Sequence, residues 1–270
     1  MITSKGNARI KNLMTLKKKA SERSSQDVFL VEGIKMFREI PESELAEVYA
    51  SESFLKTEAG RKAAKAVEAA RFEEVSDEVF QSLSDTKSPQ GIMAVVRQKH
   101  YRFENILGRR DAGENGENEP LVMILENLQD PGNLGTIVRT AEGAGVTGIL
   151  MSKGTADIYN PKVTRSTMGS IFRMPFLYTE DLKEDIERLK NAGIVVCAAH
   201  LDGKNTYDGE NYAGGTAFMI GNESRGLSDE IAALADIRVR IPMAGKVESL
   251  NASVAAAILM YEASRQRRKK

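Results

Sequence analysis

The 270-residue chain reads as an α/β protein in two parts, a small mixed α/β unit followed by a larger unit built on a parallel sheet. Three observations predict this. From Leu121 onward, short apolar runs alternate with segments of helical period, the pattern of strands joined by crossover helices. Leu121–Leu125 is continuously apolar, as a parallel strand buried on both faces must be. Between the two parts, residues 109–120 are rich in Gly, Asn and Glu and too polar to bury themselves. They predict an exposed linker, with a domain boundary at about residues 98–119.

The first unit, residues 1–97, opens with a basic helical segment carrying Ile10, Leu13 and Leu16 at helical spacing. Val28–Val31 reads as a strand and Gly33 onward as a helix. Glu47–Ala50 is a strand, followed by an Ala/Lys/Glu-rich helix from about Thr57 to Ala70. Phe72–Val75 as a strand, a helix near Asp77–Leu83 and a strand at Ile92–Val96 complete it.

In the second unit, strands are expected at Leu121–Leu125, Gly148–Met151, Ile194–Ala199, Ala217–Ile220 and Ile237–Ile241. Helices are expected at Asn133–Ala144, Pro161–Met168, Leu182–Ala192 and Ser228–Leu234. A last helix starts from Ser249 or Asn251 and places Leu250, Val254, Ile258 and Tyr261 on one stripe. No internal repeat is present.

Composition narrows the class. A hydrophobic fraction of 41% suits a soluble globular protein with a real core. No apolar run approaches the roughly 18 residues of a membrane span, and the N-terminus lacks a secretory apolar stretch. The single cysteine, Cys197, leaves neither an intramolecular disulfide nor a metal cluster to expect, so a cytoplasmic protein without a metal is predicted. Net charge is zero, yet residues 1–40 hold nine basic side chains against four acidic ones, and the chain ends Arg265-Gln-Arg-Arg-Lys-Lys270. Basic ends on a neutral body suit phosphate contact, though a solvated helix face and tail would look the same.

Three segments carry chemistry. They are Asn127-Leu-Gln-Asp-Pro-Gly-Asn133-Leu-Gly-Thr-Ile-Val-Arg139, then Gly221-Asn-Glu223-Ser-Arg-Gly226, then Ile241-Pro-Met-Ala-Gly-Lys-Val-Glu-Ser249-Leu-Asn251. Each sits where a strand hands over to a helix, which is where α/β sheets hold ligands. In the first, Asn133 suits a helix cap, whereas Arg139, six residues further, is not explained by the turn and reads as an anion clamp or as a surface arginine. In the second, Gly221 admits close backbone approach and Glu223 places a carboxylate at the sheet edge, although taken alone the segment reads first as a turn into a helix capped by Ser228. In the third, Pro242 holds Ile241 extended. Since one helix has one N-cap, only one of Ser249 and Asn251 is needed for capping, and the other is free for a pocket. Gly143-Ala-Gly145-Val-Thr-Gly148 matches the dinucleotide fingerprint literally but closes a helix, so its glycines read as a helix stop. His100 and His200 have no ligand spacing and read as structural.

In order and content, these segments resemble the three signature motifs of the SpoU (TrmH-type) branch of the SPOUT RNA methyltransferases, over about Leu121 to Arg267. Tyr159-Asn-Pro-Lys162-Val-Thr-Arg165-Ser-Thr-Met-Gly169 is similar to the family's segment between its first two motifs. Residues 1–97 resemble the L30e-like substrate-binding domain often fused ahead of it. The resemblance implies an α/β knot, a parallel sheet tied as a trefoil, which would be an exception to the rule against knotted chains. It also implies a homodimer that binds S-adenosylmethionine and methylates the ribose 2′-oxygen of ribosomal or transfer RNA. Its cofactor contacts fall on Gly221, Ile241, Met243 and Leu250, and its functional polar residues on Asn133, Arg139, Glu223, Ser249 and Asn251.

On this reading the arginine stabilises a developing alkoxide, because a guanidinium does not give up its proton. The hydroxyl proton would leave through a phosphate oxygen, water or Glu223. Lys11, Lys17, Lys18, Lys19 and Arg23 are candidate phosphate contacts, and Arg165 would hold RNA nearer the pocket. By analogy with fused ribosomal enzymes, 23S ribosomal RNA is the expected substrate. A transfer-RNA methyltransferase and a catalytically silent RNA-binding assembly or resistance factor are the alternatives.

Overall fold

The computed structural model describes residues 1–65, 67, 71–84, 86, 88–108 and 119–268. It divides into two compact units. The first comprises Met1–Lys99 with Asp157–Phe172, and the second comprises His100–Ala156 with Arg173–Lys270.

In the first unit, β1 (Val28–Glu32), β2 (Leu45–Ser51), β3 (Arg71–Val75) and β4 (Ile92–Arg97) form a sheet in the order β1-β4-β2-β3. β4 runs antiparallel to both neighbours, whereas β2 and β3 are parallel. Ile10, Leu13 and Leu16 are buried on one side of the helix Ala8–Lys18, as their spacing predicts, and join Leu30, Tyr49 and Phe80 in the core. The helix expected at Thr57–Ala70 is present as Glu58–Lys65; Ala66 and residues 68–70 lie outside the described residues.

The segment Asp157–Phe172 packs in this unit although it falls between two strands of the second sheet. Tyr159 lies 4.6 Å from the Phe29 ring, and Asn160 caps the helix Pro161–Thr167. Arg23 ties the segment down. Its guanidinium donates to the Asp157 carboxylate and, at 2.6 Å, to the Leu16 carbonyl.

The second unit holds a seven-stranded sheet in the order β7-β6-β5-β10-β8-β11-β9, every pairing parallel. Its strands are β5 (Leu121–Leu125), β6 (Gly148–Ser152), β7 (Phe176–Thr179), β8 (Val195–Ala199), β9 (Asn205–Thr206), β10 (Thr216–Ile220) and β11 (Ile237–Arg240). β5 and β10 are buried along their whole length, consistent with their unbroken apolar runs. β7 and β9 are strands that the sequence pattern does not mark. One follows Pro175 with only four residues, the other has two polar residues, and neither carries a readable period.

Two further expectations change. Residues 100–108 are not linker: the short helix Phe103–Ile106 buries Phe103, Ile106 and Leu107 in the second unit's core. The polar run 109–118 lies outside the described residues. On the last helix, Ala252–Arg267, the buried face is Ala256, Leu259, Met260 and Ala263. The stripe through Val254 and Tyr261 is the exposed one, at 47% and 45% accessibility. Small alanines let this helix approach Pro131–Ala144 closely, and that contact outweighs the larger side chains in choosing the inner face.

Candidate active site

β5 and β10 pair in register at the centre of the sheet, with Leu125 beside Ile220, so the turns leaving them emerge side by side. From β5 the chain proceeds to β6 and β7 on one side, while β8, β11 and β9 lie beyond β10. That change of direction opens a crevice at the strand ends.

The turn after β5 is held rigidly. Glu126 is buried and accepts from Ser228 through its backbone N–H at 2.8 Å and its hydroxyl at 2.6 Å. Asn127 takes a left-handed φ of 52°, donating its N–H to Ser152 Oγ and accepting from Asn222 Nδ2, each at 2.8 Å. The helix then begins at Pro131, with Asp130 as its cap; Asp130 Oδ1 accepts from the Asn133 N–H at 2.8 Å. Asn133 is therefore not the cap that its residue type suggested. Proline at the first helical position needs no N–H partner, and the earlier start frees the Asn133 side chain.

That side chain joins the three motifs. Asn133 Nδ2 donates to Glu223 Oε1 at 3.1 Å, and Asn133 Oδ1 accepts from Asn251 Nδ2 at 2.8 Å. The Glu223 carboxylate also accepts from the backbone N–H groups of Gln129 at 3.1 Å and Asp130 at 2.9 Å. Partial burial pulls the Glu223 pKa up, but these bonds, led by Asn133, outweigh it and hold the carboxyl below the usual glutamate value. A carboxylate so bonded is held ionised and tied to the turn that starts the first motif's helix.

Asn251 resolves the capping question by serving two ends. Its Oδ1 accepts from the Ser253 N–H at 2.9 Å and the Val254 N–H at 3.3 Å, capping the last helix, while its amide N–H₂ reaches Asn133. Ser249 is exposed and outside the cap. Arg139 is exposed on the motif helix and makes no hydrogen bond or ion pair to any described residue.

Gly221 is buried, and a Cβ there would lie 2.1 Å from the carbonyl carbon of Gly226 and the nitrogen of Leu227. Glycine is thus required by the loop folding on itself, before any ligand is considered. Ile241, Met243 and Leu250 are half-buried, and residues 243–250 make no backbone hydrogen bond to any described residue. Their amide and carbonyl groups are open to a ligand.

Of the cations proposed for RNA, Lys11, Lys18 and Lys19 are exposed. Lys17 is half-buried and donates to the Leu83 carbonyl at 2.7 Å. Arg23 is only 3% exposed and spent on Asp157 and the Leu16 carbonyl, so it is a structural residue and not a phosphate contact. Arg165 is exposed, 4.0 Å from the Glu32 carboxylate. His200 accepts from the Asp202 N–H at 3.1 Å and shapes a turn. Burial, reinforced by the negative charge of Glu210 and Asp236, pushes the Cys197 thiol up to about 12. Among the described residues no group of His, Cys, Asp and Glu could hold a metal, and no helix is long and apolar enough to cross a membrane.

Comparison with known proteins agrees with this architecture. Residues 120–261 match the SpoU rRNA Methylase family, and residues 7–94 match the MRM3-like substrate binding domain. The chain is 34% identical over 187 residues to the 23S rRNA (guanosine(2553)-2′-O)-methyltransferase RlmP of Bacillus subtilis, covering 69% of this chain and 70% of that one. It superposes on the SpoU methyltransferase AviRb of Streptomyces viridochromogenes, solved with S-adenosylmethionine, with a TM-score of 0.86 and 26% identity over 97% of this chain and 98% of AviRb. An S-adenosylmethionine-bound rRNA methyltransferase from Sinorhizobium meliloti gives 0.83 and 28% over 98% and 97% of the two chains.

A parallel sheet whose switch-point loops are laced together by these three motifs, preceded by a substrate-binding unit, defines an RNA methyltransferase of the SPOUT class. The chain belongs to the SpoU rRNA methylase family.

Proposed function

We propose that this protein transfers a methyl group from S-adenosylmethionine to the 2′-oxygen of a ribose in structured RNA, with 23S ribosomal RNA as the substrate. One observation carries the reading. One polar residue from each motif is bonded to the next, Glu223 to Asn133 to Asn251, while Arg139, on the same helix as Asn133, has no partner among the described residues.

The residues fit the cofactor. The backbone groups of residues 243–250 have no hydrogen-bond partners among the described residues, and they adjoin the half-buried side chains of Ile241, Met243 and Leu250. Together with Gly221 these residues would hold an adenosine through main-chain contacts against apolar walls. When bound, S-adenosylmethionine supplies an electrophilic methyl group on a sulfonium.

Everything else falls to the chain. A ribose hydroxyl is a weak nucleophile until its proton departs. Arg139 remains protonated and stabilises negative charge growing on O2′. The hydroxyl proton would leave to water or to an RNA phosphate oxygen, since the Glu223 carboxylate already accepts three hydrogen bonds that tie it to the first turn. Ser249, exposed beside the cap, is free to contact the ribose or cofactor.

Residues 1–97 act as the substrate-binding domain, and residues 120–270, with the helix Phe103–Ile106 packed in their core, as a methyltransferase domain tied in a trefoil knot. Lys11, Lys18 and Lys19 supply phosphate contacts, with Lys17 and Arg165. The exposed Val254/Tyr261 stripe on the last helix fits a second copy of the chain, giving a cytoplasmic homodimer. Mapping 2′-O-methyl sites on 23S, 16S and transfer RNA in a deletion strain against its parent tests the function. One site lost from 23S RNA is expected; a site lost from transfer RNA, or none at all, would move the assignment to the corresponding alternative.

A further inference from the structure

The first unit contains a groove that the methyl-transfer reading leaves unused. A cleft of about 180 Å³ is lined by Glu32, Lys35, Met36, Gln90, Arg165 and Met168, among others. A smaller cavity of about 20 Å³ shares Glu32, Met36 and Arg165 with it and adds Lys17 and Thr164. All these residues belong to one compact unit, and none is a residue of the three motifs.

The chemistry of the lining is specific. Two of the cations read separately from the sequence as RNA contacts, Lys17 and Arg165, meet here although they are far apart in the chain, and Lys35 joins them. The soft surfaces are thioethers: Met36 is buried, and Met168 is 46% exposed with a left-handed φ of 51°, a conformation seldom adopted outside Gly and Asn. Gly33, at φ 97°, is a position where even a Cβ would come within 2.9 Å of Gln90 Oε1, which accepts from the Ile34 N–H. That leaves the Gln90 amide N–H₂ for another acceptor. Thr164 is buried, and its hydroxyl has no hydrogen-bond partner among the described residues. A group that polar and that buried calls for one.

We propose that this groove takes one unstacked nucleotide of the RNA substrate, a contact that selects the target and is separate from the methyl-transfer site. The inference rests on RNA being the substrate. Size fits a single base: an apolar cavity of about 150 Å³ accommodates benzene. Charge fits its phosphate, through Arg165 and Lys35. Sequence-reading proteins take splayed bases onto flat or soft surfaces, Arg guanidinium planes among them, and sulfur packs well against aromatic rings. Glu32 and Gln90 supply an acceptor and donors for a base edge, and the part of the groove contributed by residues 1–99 lies in the stretch matched to a substrate-binding domain.

The test uses the full-length protein and unmodified 23S rRNA made by transcription. Binding is measured across a salt series for wild type, Met168→Gly and Lys35→Glu, and ultraviolet crosslinks are mapped to peptides. Both positions are exposed, and glycine suits the backbone at residue 168, so both variants fold. Met168→Gly should weaken binding about tenfold with an unchanged salt slope, because no phosphate contact is lost, whereas Lys35→Glu should weaken it and flatten the slope. Crosslinks should fall on peptides carrying Met36 or Met168. If wild type binds the transcript while Met168→Gly binds within twofold of it and crosslinks fall elsewhere, the groove proposal is overturned and the RNA reading stands. If wild type neither binds nor methylates the transcript, the substrate reading fails and the groove falls with it.

Discussion

Asn133 Oδ1 accepts a hydrogen bond from Asn251 Nδ2 at 2.8 Å, joining the first motif to the third. The same Asn133 amide donates to Glu223 in the second motif, so one side chain between two helix starts fixes the relative position of all three. Because Asn251 also caps the last helix, each of Asn133→Ala and Asn251→Ala should cost about 1–2 kcal/mol of stability. The double variant should fall short of the sum by about 1 kcal/mol, as expected for bonded partners. Denaturant unfolding of the four proteins measures this, and strict additivity would show that the bond carries no energy.

On the proposed mechanism Glu223 positions the first turn, and the hydroxyl proton leaves by another route. Its folded pKa is lowered, so the stability it contributes is fully present above the ordinary glutamate value of about 4.3 and is lost as pH falls through the lower folded value. Glu223→Gln should therefore be less stable than wild type at pH 7, by no more than about 1 kcal/mol given its exposure, and the two should converge as pH falls through the lowered folded value. Its methyl-transfer rate should keep the shape of the wild-type pH profile. Loss of an acidic limb in the variant alone would restore Glu223 as the base.

Arg23 and its basic neighbours should separate cleanly. Arg23→Ala leaves Asp157 without its ion-pair partner and should destabilise the protein by about 2–3 kcal/mol, while the salt slope of RNA binding by the folded protein stays unchanged. Lys18→Ala with Lys19→Ala should do the reverse, lowering the slope by one to two units at constant melting temperature. Thermal melts and binding titrations at several salt concentrations decide it.

The exposed stripe of the last helix predicts a self-association surface. Val254→Asp with Tyr261→Asp should convert a dimer to a monomer in analytical ultracentrifugation without loss of secondary structure, since neither residue packs in the core. A wild-type protein that sediments as a monomer at micromolar concentration would contradict the assignment.

Much of this was legible in the sequence because it rests on local signals. The unbroken apolar runs of β5 and β10 announce buried parallel strands, and the spacing of Ile10, Leu13 and Leu16 announces the buried side of the first helix. What escaped depends on contacts distant in the chain. Arg23 looks like its lysine neighbours until Asp157 is brought beside it. The last helix buries alanines because a second helix lies against them, which no periodicity reveals. Asn133 has the residue type of a cap, and only the third dimension shows Asp130 taking that role and Asn133 bridging to Asn251. The gathering of Lys17 and Arg165 around one groove was invisible for the same reason.

The most direct test of the central claim is transfer of labelled methyl from S-adenosylmethionine to unmodified 23S rRNA by wild type and by Arg139→Ala, with the product digested to nucleosides. Arg139 is exposed and makes no bond to a described residue, so the variant should keep its melting temperature and its S-adenosylmethionine affinity. It should transfer methyl about 10²–10³-fold more slowly, the cost of one missing donor to a developing oxyanion. Label should appear in a single 2′-O-methyl nucleoside. Label on a base, or an Arg139→Ala variant as fast as wild type, would contradict the account.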